Sequence, residues 1–284
     1  MSNPAPAAGR SLSKSVLVGV LLGATFLLSV LIYKELFMVL AAAAAGAGAW
    51  ELSSALRLKG WYVPRLPAVV GSVLIMPFAF YGGAEWQWLT ALATVAALIL
   101  WRTVHILWER REAPSQRLQH TLRDFAAAAF LVIYLPLMTS FTMLLLRRPD
   151  GAGWIITFVV TVAMIDTAGY LVGRKFGKRK LAPGVSPKKT WEGLVASISA
   201  GVLSALIFSN LFWGFQWWIG LLLAGVLLLS AVFGDLAESL IKRDLGVKDM
   251  SSVLPGHGGV MDRLDSILPS ALITYLFAQI FLPF

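Results

Sequence analysis

Apolar residues in this chain neither alternate nor keep to one helical stripe. They run in blocks, each near the length of about 20 residues that a helix needs to cross a bilayer. Nine blocks qualify, near 15–33, 36–52, 66–82, 86–108, 124–146, 154–173, 193–213, 216–233 and 264–283. The expected fold is therefore all-α, a polytopic membrane protein of nine transmembrane helices. The second block is rich in Ala and Gly (Ala41 to Ala45, Gly46, Gly48) and reads either as a span or as a tightly packed central helix. The first block reads as a retained helix rather than a cleaved leader. Gly19-x-x-x-Gly23 and Gly169-x-x-x-Gly173 read as helix-packing contacts. Trp86, Trp88, Trp217 and Trp218 fall at predicted outer ends, where aromatic rings anchor a protein to the interface.

Composition agrees with the pattern. The chain is 58% hydrophobic and 14% charged, with a mean hydropathy of +0.75. A soluble domain carries about 25% charged residues. Too little polar surface exists to cover a water-soluble globule. The net charge of +9 points to cytoplasmic loops facing anionic headgroups, not to nucleic acid. With the N-terminus in the cytoplasm and nine spans, 21 of the 24 Lys and Arg residues fall on the cytoplasmic side. Only Lys34, Arg147 and Arg148 fall outside. Short loops and the lack of a retention signal point to a bacterial inner membrane. Residues 1–146 carry spans one to five. Residues 147–284 form a catalytic region of four spans with cytoplasmic loops at 174–192 and 234–263. Cysteine is absent and only His105, His120 and His257 occur, which argues against thiolate or multi-histidine metal sites. Nothing assigns a role to His105 or His120.

The acids are unevenly placed. Asp235, Glu238, Asp244, Asp249, Asp262 and Asp265 are six of the 15 acidic residues. Asp235, Glu238 and Lys242 share one face of the helix that leaves span eight, and Asp262 and Asp265 share one face at the entry to span nine. Pro255-Gly256-His257-Gly258-Gly259 lies between, a loop whose amide groups can meet anionic oxygens. Two carboxylate faces around a glycine loop suit a hard cation such as Mg²⁺. The alternative is that Asp262 and Asp265 only stabilise a helix N-terminus. A basic patch runs from Arg174 to Trp191. Within it, Ser186, Lys188, Lys189 and Thr190 precede span seven, and a helix N-terminus with adjacent lysines and hydroxyls is a phosphate site. Asp166 lies inside span six, where a charge costs about 2.5–3.5 kcal/mol on insertion scales. It either pairs with another span or shapes the site.

These residues carry a resemblance. Ser239-Leu-Ile-Lys242-Arg243, then Lys248-Asp249, then Leu254-Pro255-Gly256-His257-Gly258-Gly259-Val260-Met261-Asp262-Arg263-Leu264-Asp265 resembles the signature of phosphatidate cytidylyltransferases, the CDP-diacylglycerol synthases. Ser186-Pro187-Lys188-Lys189-Thr190-Trp191-Glu192-Gly193 and the Asp166/Tyr170 region look like the same family. The likeness covers the chain from 164 onward; the N-terminal half matches only in being hydrophobic. It implies transfer of CMP from CTP to phosphatidic acid, giving CDP-diacylglycerol and pyrophosphate, with Mg²⁺ and room in the scheme for a second cation. It also implies a homodimer.

On this reading Asp235, Asp262 and Asp265 hold the cation and, with Lys242 and Arg243, form the catalytic set. Ser186, Lys188, Lys189, Thr190, Asp166, Lys248, His257 and Arg263 contact substrate. The phosphatidate nucleophile is already ionised near neutral pH, so His257 reads as a donor or loop organiser rather than a base. The site is expected at the cytoplasmic membrane face, open to CTP from water and to phosphatidic acid among the membrane lipids. Two alternatives remain at this stage: a CTP-dependent membrane lipid kinase, and an ion-coupled transporter.

Overall fold

The computed structural model describes residues 12–108, 114–182, 186–251 and 258–282. The described residues are almost wholly helical. Helices α1 (Leu12–Ile32), α2 (Lys34–Leu58) and α3 (Arg65–Trp108) come first. Then follow α4 (Pro114–Val132), α5 (Met138–Arg147) and α6 (Gly151–Phe176). After a short β-ribbon come α7 (Trp191–Trp213), α8 (Trp217–Leu245), α9 (Met261–Leu264) and α10 (Ile267–Phe281). Among the described residues, seven helical stretches are long and apolar enough to cross a membrane: α2, α3, 118–147 through α4 and α5, α6, α7, α8, and 261–281 through α9 and α10.

Helix α3 is bent double. At 1.5 Å per residue its 44 residues would extend about 66 Å, twice the hydrocarbon core. Gly83, at φ 77°, reverses the chain, a conformation that costs a side-chain-bearing residue strain. The two arms then pack so closely that a Cβ on Gly71 would lie 2.2 Å from Thr94 Cγ2. Phe78 stacks on Trp86 across the bend. The expected spans at 66–82 and 86–108 are thus the two arms of one hairpin. Between α4 and α5 the helix widens into a π-turn at Ile133–Leu137, where Pro136 removes a backbone donor.

The 174–192 loop contains a short antiparallel ribbon, β1 (Lys180–Ala182) with β2 (Ser186–Thr190), within a fold that is otherwise all-α, as the sequence pattern implies. One sequence reading is amended. Gly23 has nothing within 4 Å of a built Cβ, so it makes no close helix contact. The other glycine pair does pack: a Cβ on Gly169 would lie 2.4 Å from Ser197 Oγ, and one on Gly193 would lie 2.8 Å from Gly169 O. These glycines let α6 and α7 approach along their length.

One end of the bundle is closed by Arg148 and Asp150. Lys34 Nζ donates to Arg148 O at 3.0 Å, and Arg148 donates to Asp150 and to Leu282 O. Asp150 also accepts from the indoles of Trp154 (2.6 Å) and Trp213 (3.1 Å). Burial alone would raise the Asp150 carboxyl, but these donors and the Arg148 charge hold it below the ordinary carboxylate range. The other end carries the charged motifs.

Candidate active site

The motif residues come from α6, β2, α8 and the α9 turn capped by Asp265, and three features bring them together. Thr190 is the N-cap of α7, its hydroxyl accepting from Gly193 N at 3.2 Å. This fixes Lys189 just ahead of the helix. Gly234 brings α8 against the α9–α10 junction, since a Cβ there would lie 2.4 Å from Asp265 O and 2.9 Å from Pro269 Cγ. Asp235 follows directly and pairs with Lys189 (Nζ–Oδ2 2.5 Å). Helix α8 does not stop where its apolar block ends. It continues to Leu245 and carries Asp235, Glu238 and Lys242 on the face turned to α10 and the glycine loop.

Lys242 bridges two buried acids. Its ammonium donates to Glu238 Oε2 at 2.8 Å and to Asp262 Oδ1 at 3.0 Å. Glu238 is 1% exposed, and its Oε1 has no hydrogen-bond partner among the described residues. Asp262 further accepts from Gly259 N at 2.7 Å and Met250 N at 3.1 Å. Asp262 therefore ties the glycine loop to α8. Asp265 accepts from Ser266 N at 2.7 Å and stands within electrostatic reach of Asp235 and Lys242. Asp166 lies within reach of Asp235, Asp265, Lys189 and Ser266. It lies ten residues, about 15 Å, from the end of α6, and its side chain is exposed rather than packed inside the bundle.

The sequence-derived candidates thus fall into three groups. Asp166, Lys189, Asp235 and Asp265 converge. Lys242, Asp262 and Thr190 are engaged in holding the frame: two as a buried ion pair, one as a helix cap. Arg243, Lys248 and Arg263 are exposed at the same end of the bundle. His257 lies outside the described residues, as do the side chains of Ser186 and Lys188.

The donor set suits a hard cation. Among the described residues no three acidic or His side chains are grouped closely enough to cage an ion alone. Mg²⁺ does not need such a cage: it is commonly held by one or two carboxylates together with substrate phosphates. Asp235 and Asp265, with the unpartnered Glu238 Oε1 close behind, offer that kind of oxygen set. Asp262, already accepting from a lysine and two amides, is the less available of the three predicted ligands.

One residue of this end was missed in the sequence. Glu51 of α2 is 3% exposed and accepts from Ser251 Oγ (2.5 Å), Val260 N (3.0 Å) and Met261 N (2.9 Å). Its signal was an acid inside an apolar, Ala-rich block, which requires a partner. A second polar knot joins α2, α3 and α4: Arg102 pairs with Asp124 at 2.8 Å, and Arg57 and Arg102 each lie 4.6 Å from the Tyr62 ring.

Comparison with known proteins agrees with this geometry. A model described as the cytidylyltransferase family matches residues 13–281. A phosphatidate cytidylyltransferase of Mycobacterium leprae is 37% identical over 281 residues, covering 95% of this chain and 88% of its own. One from Mycobacterium bovis is 34% identical over 273 residues, covering 95% and 89%. One from Brucella suis is 40% identical over 145 residues, half of this chain. The match runs through α2 and Glu51 as well as the C-terminal motifs, and the chain belongs to the cytidylyltransferase family.

Proposed function

We propose that this protein is a phosphatidate cytidylyltransferase, which moves CMP from CTP onto phosphatidic acid and releases pyrophosphate. The observation that carries the reading is the convergence of Lys189, Asp235, Asp265 and Asp166 toward the charged end of a membrane bundle. One substrate is a soluble polyanion and the other a lipid, so the site must meet both water and bilayer. The family and the relatives' names support the same activity.

A phosphatidate phosphate oxygen attacks the α-phosphorus of CTP. The new P–O bond forms in line as the bond between the α-phosphorus and its bridging oxygen to the β-phosphorus breaks. Pyrophosphate leaves with that electron pair. No proton need be removed from the nucleophile, so the chief task is to let two anions meet. Lys189 is suited to it. Its pair with Asp235 is partly accessible, at 23% and 32%, and can exchange. Lys189 can thus meet a phosphate oxygen of the substrate, and Asp235 would then be available as an oxygen ligand. Bound Mg²⁺ would supply charge neutralisation at the phosphates, held by Asp235 and Asp265. Lys242, enclosed by Glu238 and Asp262, holds α8 to the glycine loop and keeps Asp265 in register with Asp235.

We further propose nine membrane crossings, the two arms of α3 counted separately and α1 included, with the charged end in the cytoplasm. The test of the activity is purified protein in detergent with CTP, phosphatidate and Mg²⁺. Pyrophosphate release that depends on phosphatidate supports the reading. Release of CDP instead would indicate the kinase, and neither product with ion flux in liposomes would indicate a transporter.

A further inference from the structure

We infer that Glu51 is a positioning residue for the transfer reaction, an N-terminal strut that sets the backbone carrying Asp262 and Asp265; this rests on the activity proposed above. Glu51 sits in the last third of α2, 200 to 210 residues from the groups it holds. Both carboxylate oxygens are engaged. Oε1 accepts from Val260 N and Ser251 Oγ, and Oε2 accepts from Met261 N. The amides of Val260 and Met261 open the short α9 turn, in which Asp262 is the next residue and Asp265 follows at its end.

The contact is close as well as polar. A Cβ on Gly259 would lie 2.6 Å from Glu51 Oε2, so glycine here lets the loop lie against the carboxylate. Asp262 pulls the same loop from the other side through Gly259 N. Gly259 and the two residues after it are thus held between two acids, Glu51 of α2 and Asp262 of α9. Strain or slack at Glu51 passes directly into the position of Asp265 beside Asp235. A carboxylate has acceptors only, whereas a glutamine in the same place turns an NH₂ toward one of the three donors. Glu51→Gln keeps the size and removes at least one of the bonds. Partners that orient cation-holding carboxylates typically contribute about 10–100-fold in activity or metal affinity.

The experiment uses full-length wild type, Glu51→Gln and Glu51→Ala, purified in detergent, with turnover normalised to folded protein by melting. Glu51→Ala is expected to lower turnover at saturating CTP by about tenfold or more, and to raise the Mg²⁺ concentration for half-maximal rate by about fivefold. Glu51→Gln should lie between Ala and wild type. A strut that served stability alone would lower the melting temperature and leave turnover and Mg²⁺ dependence within twofold; that result, or any shift in them below threefold, overturns the inference. If Glu51→Ala does not fold, Glu51→Gln decides by the same threefold limit. Hydrogen exchange at the Val260 and Met261 amides gives a reading independent of turnover. It should rise in Glu51→Gln, and unchanged exchange also overturns the inference. A wild type that makes no CDP-diacylglycerol strikes the proposed activity, while the exchange result still decides whether Glu51 holds the loop.

Discussion

Lys242 is the most consequential single charge in the frame. Its ammonium lies 2.8 Å from Glu238 and 3.0 Å from Asp262, whose side chains are 1% and 5% exposed. Lys242→Met keeps most of the volume and removes the charge, leaving two carboxylates enclosed together. Asp262 would keep its two backbone donors, but Glu238 would lose the bond to its Oε2 while its Oε1 already lacks a partner. Removing one member of a buried ion pair costs about 3–5 kcal/mol. At about 2–4 °C per kcal/mol for chains of somewhat smaller size, the melting temperature should fall by about 6–20 °C. Tryptophan fluorescence follows the transition in detergent. Adding Glu238→Gln to Lys242→Met removes one of the stranded charges and should recover at least half of the loss. A Lys242→Met protein that melts within 2 °C of wild type would refute the reasoning, as would a double variant less stable than the single one.

Three further outcomes are expected. Lys189→Ala should raise the CTP KM several-fold, with the melting temperature little changed because its pair with Asp235 is partly exposed; an unaltered KM would leave Lys189 a topology marker only. Gly234→Val should reduce turnover about tenfold or more, since even a Cβ would lie 2.4 Å from Asp265 O and force α8 from α10; a fully active Gly234→Val protein would deny that this approach sets the site. Asp150 is held below its ordinary range, so its stabilisation is fully present above an unfolded pKa of about 3.9 and is lost as pH falls through the lower folded value. Melting followed from pH 6 to pH 3 should show a steeper acid loss in wild type than in Asp150→Asn, and parallel profiles would contradict that assignment.

The membrane architecture was legible because bilayer thickness imposes a length that apolar blocks display directly. The block at 66–108 was also divided correctly in sequence, yet the connection is a single left-handed glycine, Gly83, inside otherwise continuous helix. At α8 the helix outlasts its apolar block, as the shared face of Asp235, Glu238 and Lys242 implied. Apolar residues thin out after Phe233, but Leu, Ala, Glu, Lys and Arg sustain a helix to Leu245. That overrun is what carries Lys242 to the glycine loop.

Within the site, identity was easier to read than role. Lys189, Asp235 and Asp265 stand out by type and spacing, and they do meet. Asp262 looks the same as Asp265 in the sequence, yet its oxygens are taken by Lys242 and by the amides of Met250 and Gly259. Those backbone donors, at Met250 and Gly259, lie 12 and 3 residues before Asp262, and no periodicity encodes their approach to it. Thr190 read as a phosphate contact because it precedes a helix, and the same position makes it the cap. Glu51 marked itself only as an acid in an apolar block. Its partners lie some 200 residues away, a separation that local pattern does not reveal.

The most direct measurement compares CTP labelled at the α-phosphorus with CTP labelled at the γ-phosphorus, using wild type and Asp265→Asn side by side. In wild type the α label should pass into lipid while the γ label leaves in pyrophosphate. Folded Asp265→Asn should transfer neither. Label from the γ position appearing in lipid, or an Asp265→Asn protein that transfers the α label at the wild-type rate, would contradict the account.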